Sequence, residues 1–134
     1  GYFFHISPSK AVTGWLALEA VDHENGCLHY VRGSHKGDGF RPHARSNVLG
    51  FSQGMTDFGT DSDKENTVAL PGGPGTFMMH ASKTIHWAGK NRSKTRSRRA
   101  LGFIYFAKSA QVDKEARAAY QAKLDQDLLA ENKI

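Results

Sequence analysis

Residues 11–36 read AVTGWLALEAVDHENGCLHYVRGSHK. In the first part, Val12, Leu16 and Leu18 fall on one side of an extended chain, and Trp15 and Ala17 on the other. That is the pattern of a strand buried on both faces. Asn25-Gly26 follows, a dipeptide that tolerates positive φ and marks a tight turn. CLHYVRG (27–33) then returns as a second strand. The stretch predicts a β-hairpin and, with it, an antiparallel β fold.

Outward from this stretch the same period continues. Residues 33–66 are rich in Gly, Ser, Asp and Asn and predict a long irregular segment, of a length that is usually functional or mobile. TVALP (67–71) reads as a short strand, GGPG (72–75) as a tight turn and TFMMH (76–80) as the next strand. KTIHWA (83–88) and RALGFIYFA (99–107) give two more, separated by a basic turn. In the tail, Val112, Ala116, Tyr120, Leu124 and Leu128 recur every four residues, which predicts an amphipathic helix. Asp113 and Arg117 are spaced for an i,i+4 pair, and Ser109 is placed as an N-cap. Five or six strands and one helix predict a mainly β sandwich or jelly roll with a helical buttress. A complete jelly roll has about eight strands.

The 134 residues suit one compact domain. A hydrophobic share of 39% against 23% charged residues excludes a disordered chain. The net charge is +5, and Arg92, Lys94, Arg96, Arg98 and Arg99 supply five charges within eight positions, so one local cluster accounts for the surplus. Such a cluster suits nucleic acid, an acidic substrate or a membrane surface and selects none of them. Cys27 is the only cysteine, so no internal disulfide forms, and a reducing, cytoplasmic location is expected. No apolar run approaches the ~18 residues of a membrane span, and no secretory signal pattern occurs.

His86 shares a strand face with Thr84 and Ala88 by the period of two. A neutral imidazole is a common ligand for iron and zinc, although a strand histidine, His80 included, is more often a hydrogen-bonded core residue. No recognised zinc spacing is present. Arg98 and Arg99 open an apolar strand. An inward arginine needs an anionic partner. None is close in sequence, so a ligand carboxylate held by the planar guanidinium fork would serve. Arg92, Lys94 and Arg96 read as a solvated turn. Gly33, Ser34, His35 and Lys36 form either a pocket mouth or a polar strand exit. Tyr2, Phe3 and Phe4 form either a pocket wall or the start of a core strand.

Two blocks in this order carry a resemblance. WLALEAVDHENGCLHYVRGSHK (15–36) is similar to a Trp, Ala-Leu, acidic turn, Asn-Gly-Cys-Leu, Gly-Ser-His-Lys stretch. HWAGKNRSKTRSRRAL (86–101) resembles a second block, in which a histidine is followed by Asn-x-Ser and then by an arginine opening a strand. Together they resemble the phytanoyl-CoA dioxygenase family of Fe(II)- and 2-oxoglutarate-dependent oxygenases, over about residues 1–107. The resemblance implies a double-stranded β-helix, a cupin-like jelly roll, holding iron by a His-x-Asp pair and a distal histidine. His86 matches that histidine, Arg98 the arginine on the far carboxylate of 2-oxoglutarate, Trp15 an aromatic beside it, and Ala88 a position where relatives often place serine. Gly33 to Lys36 match a family loop expected to shape the substrate pocket, which assigns Ser34 and His35 to that pocket, and Tyr2 and Phe4 are expected to wall it. The implied activity is hydroxylation of a small organic substrate by O2, with oxidative decarboxylation of 2-oxoglutarate to succinate.

Three departures qualify the match. No His-x-Asp or His-x-Glu occurs, which places those ligands upstream of Gly1 and makes the barrel incomplete at its N-terminus. The turn from Asn91 to Arg98 is one residue longer than usual, so Arg99 is an alternative clamp. Arg32 stands where relatives often have proline. Residues 1–108 are expected to form the partial oxygenase core and 109–134 the helix against it, with an exposed sheet edge prone to self-association. Two other functions compete: a catalytically incompetent barrel that binds an anion or small molecule, and a basic nucleic-acid-binding domain. The latter calls for aromatic residues interleaved with the basic run, and NRSKTRSRR has none.

Overall fold

A computed structural model describes residues 5–45 and 53–130. In chain order the elements are β1 (Ile6–Ser7), β2 (Ala11–Ala17), β3 (Leu28–Val31), a 3-10 turn (Ser34–Lys36), β4 (His43–Arg45) and β5 (Gln53–Met55). There follow α1 (Asp61–Asn66), β6 (Thr67–Leu70), β7 (Phe77–Ala81), β8 (His86–Ala88), β9 (Ala100–Phe106), β10 (Gln111–Val112) and α2 (Lys114–Ala130).

The strands on either side of Asn25-Gly26 do not pair with each other, which corrects the expected hairpin. β2 lies between β7 and β9, and β3 between β6 and β8, all antiparallel. From β6 to β9 the chain alternates between the two sheets, the winding of a double-stranded β-helix. The turn explains the difference. Asp22 O accepts from both Gly26 N and Cys27 N, and Asn25, fully buried, donates through Nδ2 to Ala20 O and Ser97 O. Asn25 thus fixes a corner between sheets rather than a two-residue hairpin loop. Gly26 is required there: its φ is +87°, and a Cβ would lie 2.1 Å from Gly89 O.

One core cluster joins the sheets: Ala17, Val21, Cys27, Leu28 and Met78, with Trp15, Tyr30, Leu70 and Ala88 against it. Burial alternates along β7, with Met78 and His80 inward and Phe77 and Met79 outward. Along β2 no residue is exposed: Ala11, Gly14 and Ala17 are buried and the others half-buried, on both faces. Leu16 sits beside Phe77 and Leu101 in register, and Leu18, beyond the strand, is exposed.

The predicted irregular segment contains an antiparallel β4–β5 pair and α1. Thr60 caps α1 in a capping box with Asp63. Its Oγ1 accepts from Asp63 N at 3.1 Å, while Asp63 Oδ2 accepts from Thr60 N at 3.1 Å. The tail is helical as expected, but the cap is Asp113, whose Oδ1 accepts from Ala116 N at 2.9 Å. Ser109 precedes β10, which pairs with β1. Val112 belongs to β10, and most of α2 is exposed, with Ala116 and Tyr120 half-buried. Tyr120 packs on His5, ring centroids 5.2 Å apart.

Candidate functional site

β3 decides what faces the space between the sheets. Tyr30 pairs with Val68 and His86, and Leu28 with Leu70 and Ala88, so these side chains share the inner face. His29 pairs with Trp87 on the outer face, their rings stacked 5.1 Å apart. Across the gap, Thr13 on β2 opposes His80 on β7, and Trp15 opposes Met78.

His86 Nδ1 lies 2.9 Å from Thr84 O. A carbonyl only accepts, so Nδ1 carries the proton and Nε2 presents a bare lone pair, the form a metal takes. The His86 side chain is exposed. Ser34 holds the approach to it: its Oγ donates to Val31 O at 2.8 Å and accepts from Ile85 N at 2.9 Å. The 3-10 turn is thereby latched onto the residue before His86. His35 is exposed and Ala88 packs against the core. Tyr2 and Phe4 lie outside the described residues.

The structure brings to His86 two residues, Tyr30 and His80, the second of which the spacing alone left in the core. His80 and His86 have ring centroids 4.1 Å apart, and Tyr30 Oη lies 2.8 Å from His80 Nδ1. His80 is 8% exposed, and its Nε2 is buried without a hydrogen-bond partner. Burial, and then the neighbouring His86, push its pKa down to about 4, so it is an uncharged imidazole at neutral pH. Burial also raises the Tyr30 pKa. The available sign was the alternation of MMHA: with Met78 inward, His80 is inward too. No Cys, Asp or Glu joins His80 and His86 in a three-ligand set among the described residues.

The basic stretch divides sharply. Arg96 is not a solvated turn residue. It donates to Asp22 and Glu24 at 2.8 Å, and that hydrogen bond leads the causes lowering the Asp22 pKa. Arg99 is exposed and engages Glu19 through Nη2 at 2.7 Å and Nε at 2.8 Å. Bonds from the Arg99 backbone and side chain hold Glu19 down to about 2. Arg98 is half-buried and has no carboxylate partner among the described residues. Its Nη1 donates to Gly89 O at 2.9 Å and to Gly26 O.

The chain matches the family model of phytanoyl-CoA dioxygenase (PhyH) over residues 1–100. It is 33% identical over 98 residues to peroxisomal phytanoyl-CoA dioxygenase of Rattus norvegicus, covering 69% of this chain and 28% of the rat protein. Phytanoyl-CoA dioxygenase domain-containing protein 1 of Bos taurus is 32% identical over 104 residues, covering 75% of this chain and 35% of that one. Among solved structures, EvdO2 of Micromonospora carbonacea var. aurantiaca, complexed with 2-oxoglutarate, superposes with a TM-score of 0.63 at 31% identity. That match covers 77% of this chain and 40% of EvdO2. The epimerase SnoN, in complex with Fe3+, alpha-ketoglutarate and nogalamycin RO, shares the fold at 23% identity and a TM-score of 0.63, over 83% of this chain and 41% of its own. The chain thus spans between about a quarter and two fifths of these relatives.

Proposed function

This chain belongs to the phytanoyl-CoA dioxygenase family, and from that premise we propose that it serves an Fe(II)- and 2-oxoglutarate-dependent oxygenase that hydroxylates a small organic substrate. The observation that carries the reading is His86: a lone pair fixed by the Nδ1–H bond to Thr84 O, beside the buried and unpartnered Nε2 of His80. Such a donor suits one imidazole position of a two-histidine, one-carboxylate iron site. The sequence has no His-x-Asp, and the proposal assigns the other two ligands to such a pair from outside these residues.

Bound Fe(II) would supply the O2 activation that couples decarboxylation of 2-oxoglutarate to hydroxylation of the substrate. The chain's own residues hold and shape the site. Arg98 clamps the far carboxylate of 2-oxoglutarate, exchanging a backbone carbonyl for a charged acceptor. Arg99 is committed to Glu19, which favours Arg98 over its neighbour. Trp15 and Ala88 line the cosubstrate space. Ser34 orients the strand bearing His86, and His35 shapes the substrate entrance. His80 adds no second positive charge beside the metal, since burial keeps it neutral.

Residues 1–108 form the oxygenase core in this reading and 109–134 an accessory segment. The protein works in the cytoplasm and self-associates through its exposed sheet edges. No helix among the described residues is long and apolar enough to cross a membrane.

Anaerobic calorimetry with Mn(II) and 2-oxoglutarate tests the site, compared across the wild type, His86→Ala and Arg98→Ala. Metal-dependent 2-oxoglutarate binding, lost in both variants, is expected, together with succinate release when a His-x-Asp pair is present. Unchanged binding in His86→Ala would sink the oxygenase reading. The missing His-x-Asp favours one alternative, an anion-binding module on Arg98, which binds 2-oxoglutarate without metal.

A further inference from the structure

Where the corner turn runs into β3, we propose a second metal site formed by His23, Cys27 and His29, suited to a borderline-soft ion of the Zn(II) class. Their ligand atoms all lie within 4.8 Å of one another. The site is separate from His86 by the pleat of β3: Tyr30 points inward with His86, and His29 points outward with Trp87.

The donors are oriented before any ion arrives. His29 Nδ1 lies 3.1 Å from Cys27 O. The carbonyl accepts, Nδ1 carries the proton, and Nε2 is left as the ligand, the second-sphere arrangement typical of metal-binding histidines. The His29 ring is held by Trp87, tilted only 7° from parallel, and Phe58 packs on Trp87 from beyond at 4.8 Å. His23 and Cys27 sit four residues apart on the corner turn. That turn is fixed by Asp22 O on Gly26 N and Cys27 N, by Asn25 at its centre, and by Arg96 on Asp22.

Zinc bond lengths of 2.0–2.1 Å to nitrogen and 2.3 Å to sulfur place tetrahedral ligands roughly 3.5 Å apart. Closing to that spacing takes a shift of about an ångström. His23, exposed on the turn, can supply it. Binding would release the Cys27 thiol proton to solvent and form one metal–sulfur and two metal–nitrogen bonds, with a fourth position open to water. Cys27 Sγ is otherwise a buried free thiol. An ion here would pin the turn whose Gly26 carbonyl accepts from Arg98, stiffening the seat of that arginine.

Cys27 is the sole cysteine, so a thiolate-to-metal charge-transfer band can come from no other residue. Co(II) titrated into the 134-residue chain should give a near-ultraviolet band saturating at one equivalent and displaced by Zn(II). The band should vanish in Cys27→Ser and persist in His86→Ala, because the His86 site contains no sulfur. His23→Ala, at an exposed position that leaves the fold intact, should weaken Co(II) binding about tenfold or more, as should His29→Gln. Absence of the band in the wild type, or wild-type affinity in His23→Ala, would overturn the site.

Discussion

Arg99 reaches Glu19 through Nη2 and Nε, while Arg98, one residue earlier, lies half-buried on the carbonyls of Gly26 and Gly89. The two therefore respond differently to removal. Arg99→Gln breaks an exposed pair and should leave the urea unfolding midpoint close to that of the wild type, with 2-oxoglutarate binding intact. Arg98→Gln leaves two part-buried carbonyls without their donor and should cost about 1 kcal/mol or more, and it should abolish cosubstrate binding. Equal loss of binding in both variants would refute the assignment. The seat of Arg98 rests on Gly26. An alanine there meets both a φ of +87° and the Gly89 carbonyl, so Gly26→Ala should cost more than about 1 kcal/mol in urea unfolding. Much of this was legible from residue order, because a charged fork at the head of an apolar strand needs an acceptor. The partners were not, because Glu19 lies 80 residues from Arg99 in sequence and only the sheet register brings them together.

Elements show where local patterns mislead. Asn25-Gly26 signals a turn truthfully, but a turn says nothing about which strands pair. β2 and β3 each had an apolar inner face to bury, and facing one another across two sheets buried both. α1 was hidden in a polar segment, yet Thr60-x-x-Asp63 is a capping pattern that marks its start. Asp63, 4% exposed, accepts from Arg41 Nη1 at 2.7 Å and from Gly59 N at 3.0 Å. The Arg41 guanidinium, first among the causes, holds its carboxyl well below the ordinary 3.8. The unfolded chain therefore binds this proton at a higher pH than the folded one. The stabilisation is fully present above 3.8 and is lost as pH falls below it toward the folded value. Asp63→Asn should cost about 1.5–3 kcal/mol at neutral pH, and the gap between variant and wild type should narrow in acid. Thermal melts from neutral pH to below 3.8 would measure it, and a gap that stays constant would refute this account.

At the scale of the whole molecule, one sheet leaves large apolar side chains in reach of solvent. The outer face of β7–β2–β9 carries Val12, Leu16, Phe77, Met79, Leu101, Phe103 and Tyr105 in register. Of these, Phe77, Met79, Leu101 and Tyr105 are each about half exposed. Phe77 even lies over Gly14, where a Cβ would come within 2.6 Å of its ring, so the face is flat and continuous. The sequence showed this apolar face but read it as core, since alternation cannot tell a covered face from a bare one. A contiguous apolar sheet of this kind drives association, and the backbone edges of β7 and β9 beside it add a template for pairing. For the 134-residue chain on its own, the expected cover is a second copy. Sedimentation velocity should show a concentration-dependent shift from monomer to dimer. Met79→Glu with Leu101→Glu places a charge on each side of β2, at positions whose side chains already reach solvent, so the fold should survive while the dimer is lost. A chain that stays monomeric at high concentration, or a double variant that associates as strongly as the wild type, would rule out this face as the source.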